Sequence, residues 1–115
     1  MGMTENLEAL IASGRDGATV RFALASRYAA EGRLDRALEH VQVAVTQDPD
    51  YSAAWKLLGQ VLGDSGRERE AAEAYRRGIE VAERRGDQQA AKEMRVFLKR
   101  LERASAAGPD RDNKN

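Results

Sequence analysis

One histidine, ten glycines and no cysteine set limits on the chemistry that this 115-residue chain could carry. Without cysteine there is no disulfide, no thiolate nucleophile and no cysteine-based metal site. His40 is the single histidine. A zinc site needs several ligands and a general base needs a nucleophile beside it, and no cluster of either kind surrounds His40 in the sequence. A solvent-facing or groove-edge place on a helix is its expected role. The stretches Gly14–Gly17 and Gly63–Gly66 lack the lysine of a phosphate loop and the spacing of a dinucleotide-binding turn, so they read as turns. Carboxylates are abundant, but Glu73 with Arg77 and Glu80 with Arg84 stand at the spacing of ion pairs along an exposed helix face. The inventory predicts no catalytic residue, no cofactor and no metal. The class it leaves is binding rather than catalysis.

The elements that would present a binding surface are helices. Ala, Leu, Glu and Arg dominate, and all are strong helix formers. The two prolines, Pro49 and Pro109, each mark a boundary. Lys plus Arg equals Asp plus Glu at 19 each, which disfavours a dedicated nucleic-acid binder with its basic excess. The N-terminal stretch has no positively charged start and no long apolar core, so no leader peptide is expected. No apolar run approaches the length that spans a bilayer. The expectation is a cytoplasmic protein with no membrane and no nucleic-acid partner.

An internal repeat organises the chain. Shifted by 34 residues, the segment 18–51 aligns with 52–85. Leu24 meets Leu58, Ala25 meets Gly59, Tyr28 meets Leu62 and Gly32 meets Gly66. Further along, Ala37 meets Ala71, Val41 meets Tyr75 and Ala44 meets Gly78. Leu24, Ala25 and Tyr28 share one helical face. The small residues at 25 or 59 and at 37 or 71 let two helices approach closely. Gly32 and Gly66 fall where a helix stops and the chain reverses. Pro49 ends the second helix of the first unit. Trp55, Tyr28 and Tyr75 occupy packing positions and are expected in the core.

These residues resemble the tetratricopeptide repeat. The second unit carries Trp55, Leu58, Gly59, Leu62, Gly66, Ala71 and Tyr75 of that pattern. The first carries Leu24, Ala25, Tyr28, Gly32, Ala37, Ala44 and Pro49, with Arg21 where tryptophan is favoured. The second unit has Glu83 in place of the terminal proline, so its last helix is expected to run on toward Gly86. Two units bury too little alone, and about three are needed for stability. The flanks supply the rest. Leu7, Leu10 and Ile11 make an apolar face before the repeats, and Ala91, Met94, Leu98 and Leu101 make one after them, with Asp87 as its N-cap.

The expected fold is all-α, a superhelix of stacked antiparallel helix pairs with about six helices. Its parts are an N-terminal helix at 4–14, repeats at 18–51 and 52–85, a capping helix at 87–104 and a disordered tail at 105–115. The resemblance implies a scaffold or adaptor that binds a peptide or helix of another protein in a concave groove. It places Thr19, Phe22, Ser26 and Ala29, then Ala53, Lys56, Gln60 and Asp64, along that groove. Phe22 is either an exposed anchor there or packed on the N-terminal helix. One subset of the family clamps a C-terminal carboxylate with Lys and Asn. Lys56 fits one such position, but Gln60, Phe22 and Ser26 depart from the pattern, so the clamp is not expected. Lys92, Arg95, Lys99 and Arg103 form a basic arc on the last helix. An arc bordering the groove would favour an acidic partner, whereas one facing away is a solvated charged face. The competing reading is a self-associating structural protein, as a monomer or weak homodimer.

Overall fold

The computed structural model describes the backbone of residues 2–113 and the side chains of residues 2–106. Six helices follow one another: α1 (Met3–Ala12), α2 (Ala18–Ala30), α3 (Leu34–Gln47), α4 (Ser52–Asp64), α5 (Glu68–Arg84) and α6 (Gln88–Asn113). There is no strand among the described residues. None of the described helices is long and apolar enough to cross a membrane.

The turns between helices repeat as the sequence does. Gly32 and Gly66 both sit at positive φ, 76° and 80°, two residues beyond the last residue of a helix. In the first turn the Arg33 N–H donates back to the Tyr28 carbonyl at 2.9 Å, and in the second the Arg67 N–H donates to the Leu62 carbonyl at the same distance. Both bonds satisfy carbonyls that the helix end leaves open, and only glycine adopts that backbone without strain. The reversal folds α2 against α3 and α4 against α5.

The hairpins then stack on one another. Leu24, Ala25, Tyr28, Ala37, Val41 and Ala44 are buried in the first, and Leu58, Leu62, Ala71, Tyr75 and Ala82 in the second. α1 closes the front of the stack with Leu7 packed near Leu24, Tyr28 and Ala37. α6 closes the back, where Ala91 and Met94 are fully buried with Tyr75 and Ala82. The chain is therefore a lone helix, two hairpins and a second lone helix. Its extents of 54 × 33 × 19 Å are those of a short, flat stack.

Several boundaries and pairings differ from the sequence reading. α1 begins at Met3 and ends at Ala12, short of the expected Gly14. α5 runs to Arg84 and is followed by Gly86 at positive φ, as the missing proline implies. Asp87 accepts the Ala90 N–H at 3.1 Å, the expected N-cap bond. α6 continues to Asn113 where a disordered tail from 105 was expected. The run Ala104–Ala107 contains no helix breaker, so a nucleated helix propagates through it at little cost, and Pro109, expected as a boundary, lies inside α6. Residues 114 and 115 lie outside the described residues. Arg77 lies over the Trp55 ring rather than on Glu73, and Arg84 pairs with Asp50 at 2.6 Å rather than with Glu80. Trp55 is only partly buried, because its indole N–H reaches out to the Pro49 carbonyl at 2.7 Å.

Two glycines fix how close the helices come. A Cβ on Gly59 would stand 2.5 Å from the Tyr75 ring, and one on Gly78 would stand 2.5 Å from the Met94 sulfur. In a helix interior alanine is favoured over glycine by about 1 kcal/mol. Forcing a methyl into a packed contact costs roughly 1–3 kcal/mol. The Tyr75 ring is held by Phe97 stacked at 5.6 Å, so it has little room to yield. Gly59→Ala is therefore expected to lower stability by about 1 kcal/mol or more despite its helix preference, measured by urea denaturation. A variant as stable as wild type would show that Tyr75 moves freely.

Candidate functional site

The first helices of the pairs, α2 and α4, lie side by side with α6 next in line. Between them runs a cleft of about 530 Å³. Ala29 comes from the end of α2, and Gln60, Gly63 and Asp64 come from the last turns of α4. Phe97, Arg100 and Leu101 form the α6 wall. Leu57, Gly59, Val61 and Tyr75 complete the lining. Gly59 and Gly63 line it with bare backbone, and their absent side chains leave room for Tyr75 and Ala71 of α5.

Three of the residues expected at the groove therefore meet in one cleft: Ala29, Gln60 and Asp64. The others are placed differently. Thr19 and Ala53 are exposed nearer the starts of their helices, and Ser26 is half-buried outside the cleft lining. Phe22 is half-buried against Tyr51, with ring centroids 5.0 Å apart and planes tilted by 45°. It packs neither as an exposed anchor nor on α1, because Tyr51 ahead of α4 presents the nearer aromatic surface. Lys56 donates to Glu93 of α6 at 2.5 Å, and Gln89 donates to the other oxygen of the same carboxylate. The Lys56 ammonium lowers the Glu93 pKa through that hydrogen bond. This pair ties α4 to α6 and occupies the cation that a carboxylate clamp would use.

Phe97 and Arg100 escaped the sequence reading. Phe97 stacks on Tyr75, and the Arg100 guanidinium lies 5.6 Å over the Phe97 ring. An aromatic edge with a cation over it, facing an amide and a carboxylate across a glycine floor, can hold an apolar side chain and orient its polar neighbours. The signal for them was the alternation of helices. α6 follows a second helix, so it stands in line with α2 and α4 and contributes to the same surface. Tyr75 beneath the cleft stays neutral, its phenol pushed up to about 12 by burial and by the Asp64 carboxylate.

The basic arc of α6 does not border this cleft. Lys92, Arg95, Lys99 and Arg103 are exposed, on the side away from Met94 and Leu101. Arg95 pairs with Glu83 of α5. Phe97 and Arg100 look toward the cleft from another part of the same helix.

A separate polar cluster joins α1, α2 and α3. Arg21 holds Asp16 through both carboxylate oxygens at 2.7 Å, and those bonds, with one from Gln47, bring the Asp16 pKa down to about 2. The same guanidinium donates to His40 Nδ1 at 2.9 Å. Arginine has no acceptor, so His40 accepts at Nδ1 and carries its proton on Nε2. His40 is only 5% exposed, and Nε2 has no hydrogen-bond partner. Its place is thus buried, where a solvent or groove-edge position was expected, because its ring stacks on Tyr28 at 5.6 Å. Tyr28 in turn donates to Glu8 of α1, and Arg36 also reaches that carboxylate at 3.2 Å.

Comparison with known proteins sets this architecture among relatives. Residues 18–61 match the tetratricopeptide repeat family. A TPR repeat-containing protein of Pseudomonas aeruginosa is 47% identical over 102 residues, covering 89% of this chain and 97% of its own length. The solution structure of a Bordetella parapertussis protein is 43% identical, covers 96% of each chain and superposes with a TM-score of 0.82. A heat-shock protein cognate co-chaperone of Aspergillus fumigatus is 32% identical over 90 residues, 77% of this chain but 26% of its own length.

The His40 environment carries a pH dependence whose sign follows from its surroundings. Burial pushes the His40 pKa down, and the Arg21 and Arg36 guanidiniums push the same way against the Glu39 and Glu8 carboxylates. The folded protein therefore takes up the imidazole proton at lower pH than the unfolded chain, whose histidine titrates near about 6.5. That contribution to stability is present above the unfolded value and is lost as pH falls below it. Urea midpoints measured from about pH 7.5 to about pH 5 should fall for wild type and fall less for His40→Gln. Equal slopes for the two proteins would contradict the neutral buried imidazole.

Proposed function

The chain belongs to the tetratricopeptide repeat family, and we propose that it is an adaptor whose cleft between α2, α4 and α6 captures a segment of a partner protein. Proteins of this family generally mediate protein–protein interactions and are typically not enzymes. The observation that carries the reading is the cleft itself. It is about 530 Å³, floored by Gly59 and Gly63, and walled by Phe97 and Arg100 on one side and by Gln60 and Asp64 on the other. A preformed groove needs no catalytic group to act, and its polar rim can set the register of a bound segment. The occupant this favours is a peptide or short helix with an apolar anchor over Phe97. An acidic group beside the anchor would face Arg100, and a donor would face Asp64 and Gln60. The co-chaperone relative supports protein clients as the partner class. The cytoplasm is the compartment such a role suits.

The test is capture from the native host with two baits, read by mass spectrometry. One bait is wild type and the other carries Asp64→Lys and Arg100→Glu, exchanging the charge on each rim. Both residues are exposed, so the variant should keep wild-type helicity by circular dichroism. A specific partner held by wild type should fall at least about tenfold with the variant, the loss expected when oriented polar contacts become repulsive. Identical capture by both baits would refute the cleft as the site.

A further inference from the structure

α6 is a first helix without its hairpin partner among the described residues. α2 is paired with α3 and α4 with α5, whereas the side of α6 away from Met94 faces open space. Along that side run Lys92, Val96, Lys99 and Arg103, spaced by four, three and four residues, which is one straight stripe on a helix. Val96 is 46% exposed, an unusual place for a β-branched apolar residue, and it lies in the middle of three cations. Among the described residues Lys92, Lys99 and Arg103 make no ion pair.

The outer side of α3 has the opposite character. Asp35, Leu38, Glu39, Gln42, Val43 and Thr46 line a shallow hollow along that helix alone. Leu38 and Val43 are half-buried and Asp35 and Glu39 are exposed. Neither acid takes part in an ion pair among the described residues. From Asp35 to Thr46 and from Lys92 to Arg103 the two stripes span the same number of residues, about 16 Å of helix each.

We propose that these two stripes bind each other between two copies of this chain. α6 of one copy lies antiparallel on α3 of the other. In that direction Arg103 and Lys99 meet Asp35 and Glu39, and Val96 enters the apolar hollow at Val43. Lys92 then stands by Thr46, clear of any like charge on α3. Opposed helix dipoles favour the same direction. Each copy carries both stripes, so a two-fold pair makes the contact twice. Phe97 and Arg100 lie outside the stripe, which leaves the cleft between α2, α4 and α6 open in the pair. The small apolar centre and charged flanks make this a weak, salt-sensitive association rather than an obligate one.

Two double variants test it by sedimentation equilibrium over a range of concentrations, each with helicity checked by circular dichroism. The first is Lys99→Glu with Arg103→Glu, and the second is Asp35→Lys with Glu39→Lys. Wild type should dimerise reversibly and more weakly as salt rises. Each variant alone sets like charges against each other, so its dissociation constant should rise at least about tenfold. An equimolar mixture of the two restores opposite charges at both contacts, so it should recover heterodimers. Wild type that stays monomeric up to about 1 mM would overturn the proposal, as association weaker than that is of no consequence. So would a dimer indifferent to both variants, since it would use another face. A mixture that fails to recover would equally refute the pairing of these two stripes.

Discussion

Everything in this fold rests on how closely neighbouring helices can approach. A hairpin of two helices, each of 13 to 17 residues, cannot bury enough apolar surface to stand alone. It becomes stable only when the next pair lies against it at the distance of interlocking side chains. Ala25, Ala37, Ala44, Gly59, Ala71 and Gly78 set that distance. The aromatic and aliphatic residues of one helix fill the space that small ones leave on the next, as Tyr75 does over Gly59 and Met94 over Gly78. The cleft is a product of the same constraint. Gly59 and Gly63 thin the face of α4 that meets α5, and Tyr75, admitted by that thinning, itself lines the cleft.

Much of this was legible in the sequence because it repeats. A period of 34 residues with small, apolar and turn-forming residues in matching places leaves few folds open, and it located the turns at Gly32 and Gly66 and the stack of pairs. The cleft was legible only in part. Ala29, Gln60 and Asp64 follow from the repeat register, but Phe97 and Arg100 lie on a helix outside the repeating segment. Phe97 stands at helical spacing from Met94 and Leu101 and packs with them, so periodicity marks it as core and gives no sign that its edge also walls the cleft. Phe22 and Lys56 show a second limit. Position in a repeat says which way a side chain starts, and the neighbour decides where it ends. Tyr51 covers Phe22, and Glu93 holds Lys56.

The first repeat departs from the second at one position with wide consequences. Where Trp55 packs in the second repeat, the first has Arg21. A guanidinium cannot fill an apolar site unpaired, because the charge must keep its hydrogen bonds. It is met here by Asp16 from the loop before α2 and by His40 from α3. His40 stacks on Tyr28 and leaves Nε2 without a partner. His40 stands three residues after Ala37 and four before Ala44, and its counterpart in the second repeat is the buried Ala74, so the helical period turns it inward. Arg21, nineteen residues away, then supplies the partner for its Nδ1.

α6 shows how one helix can serve several surfaces without conflict. Its apolar stripe through Ala91 and Met94 closes the stack, and that burial fixes its rotation about its own axis. Once the rotation is fixed, every other residue has an assigned direction. Glu93, Phe97 and Arg100 are turned toward α4 and the cleft, while Lys92, Val96, Lys99 and Arg103 are turned to the outside. A net charge of zero for the whole chain conceals this separation, in which Asp35 and Glu39 of α3 and the outer cations of α6 stand apart with no ion pair between them among the described residues. Such segregation gives the molecule a direction, with one basic edge and one acidic edge. Charge of that kind acts between molecules rather than within one, and it acts on faces that the core leaves free.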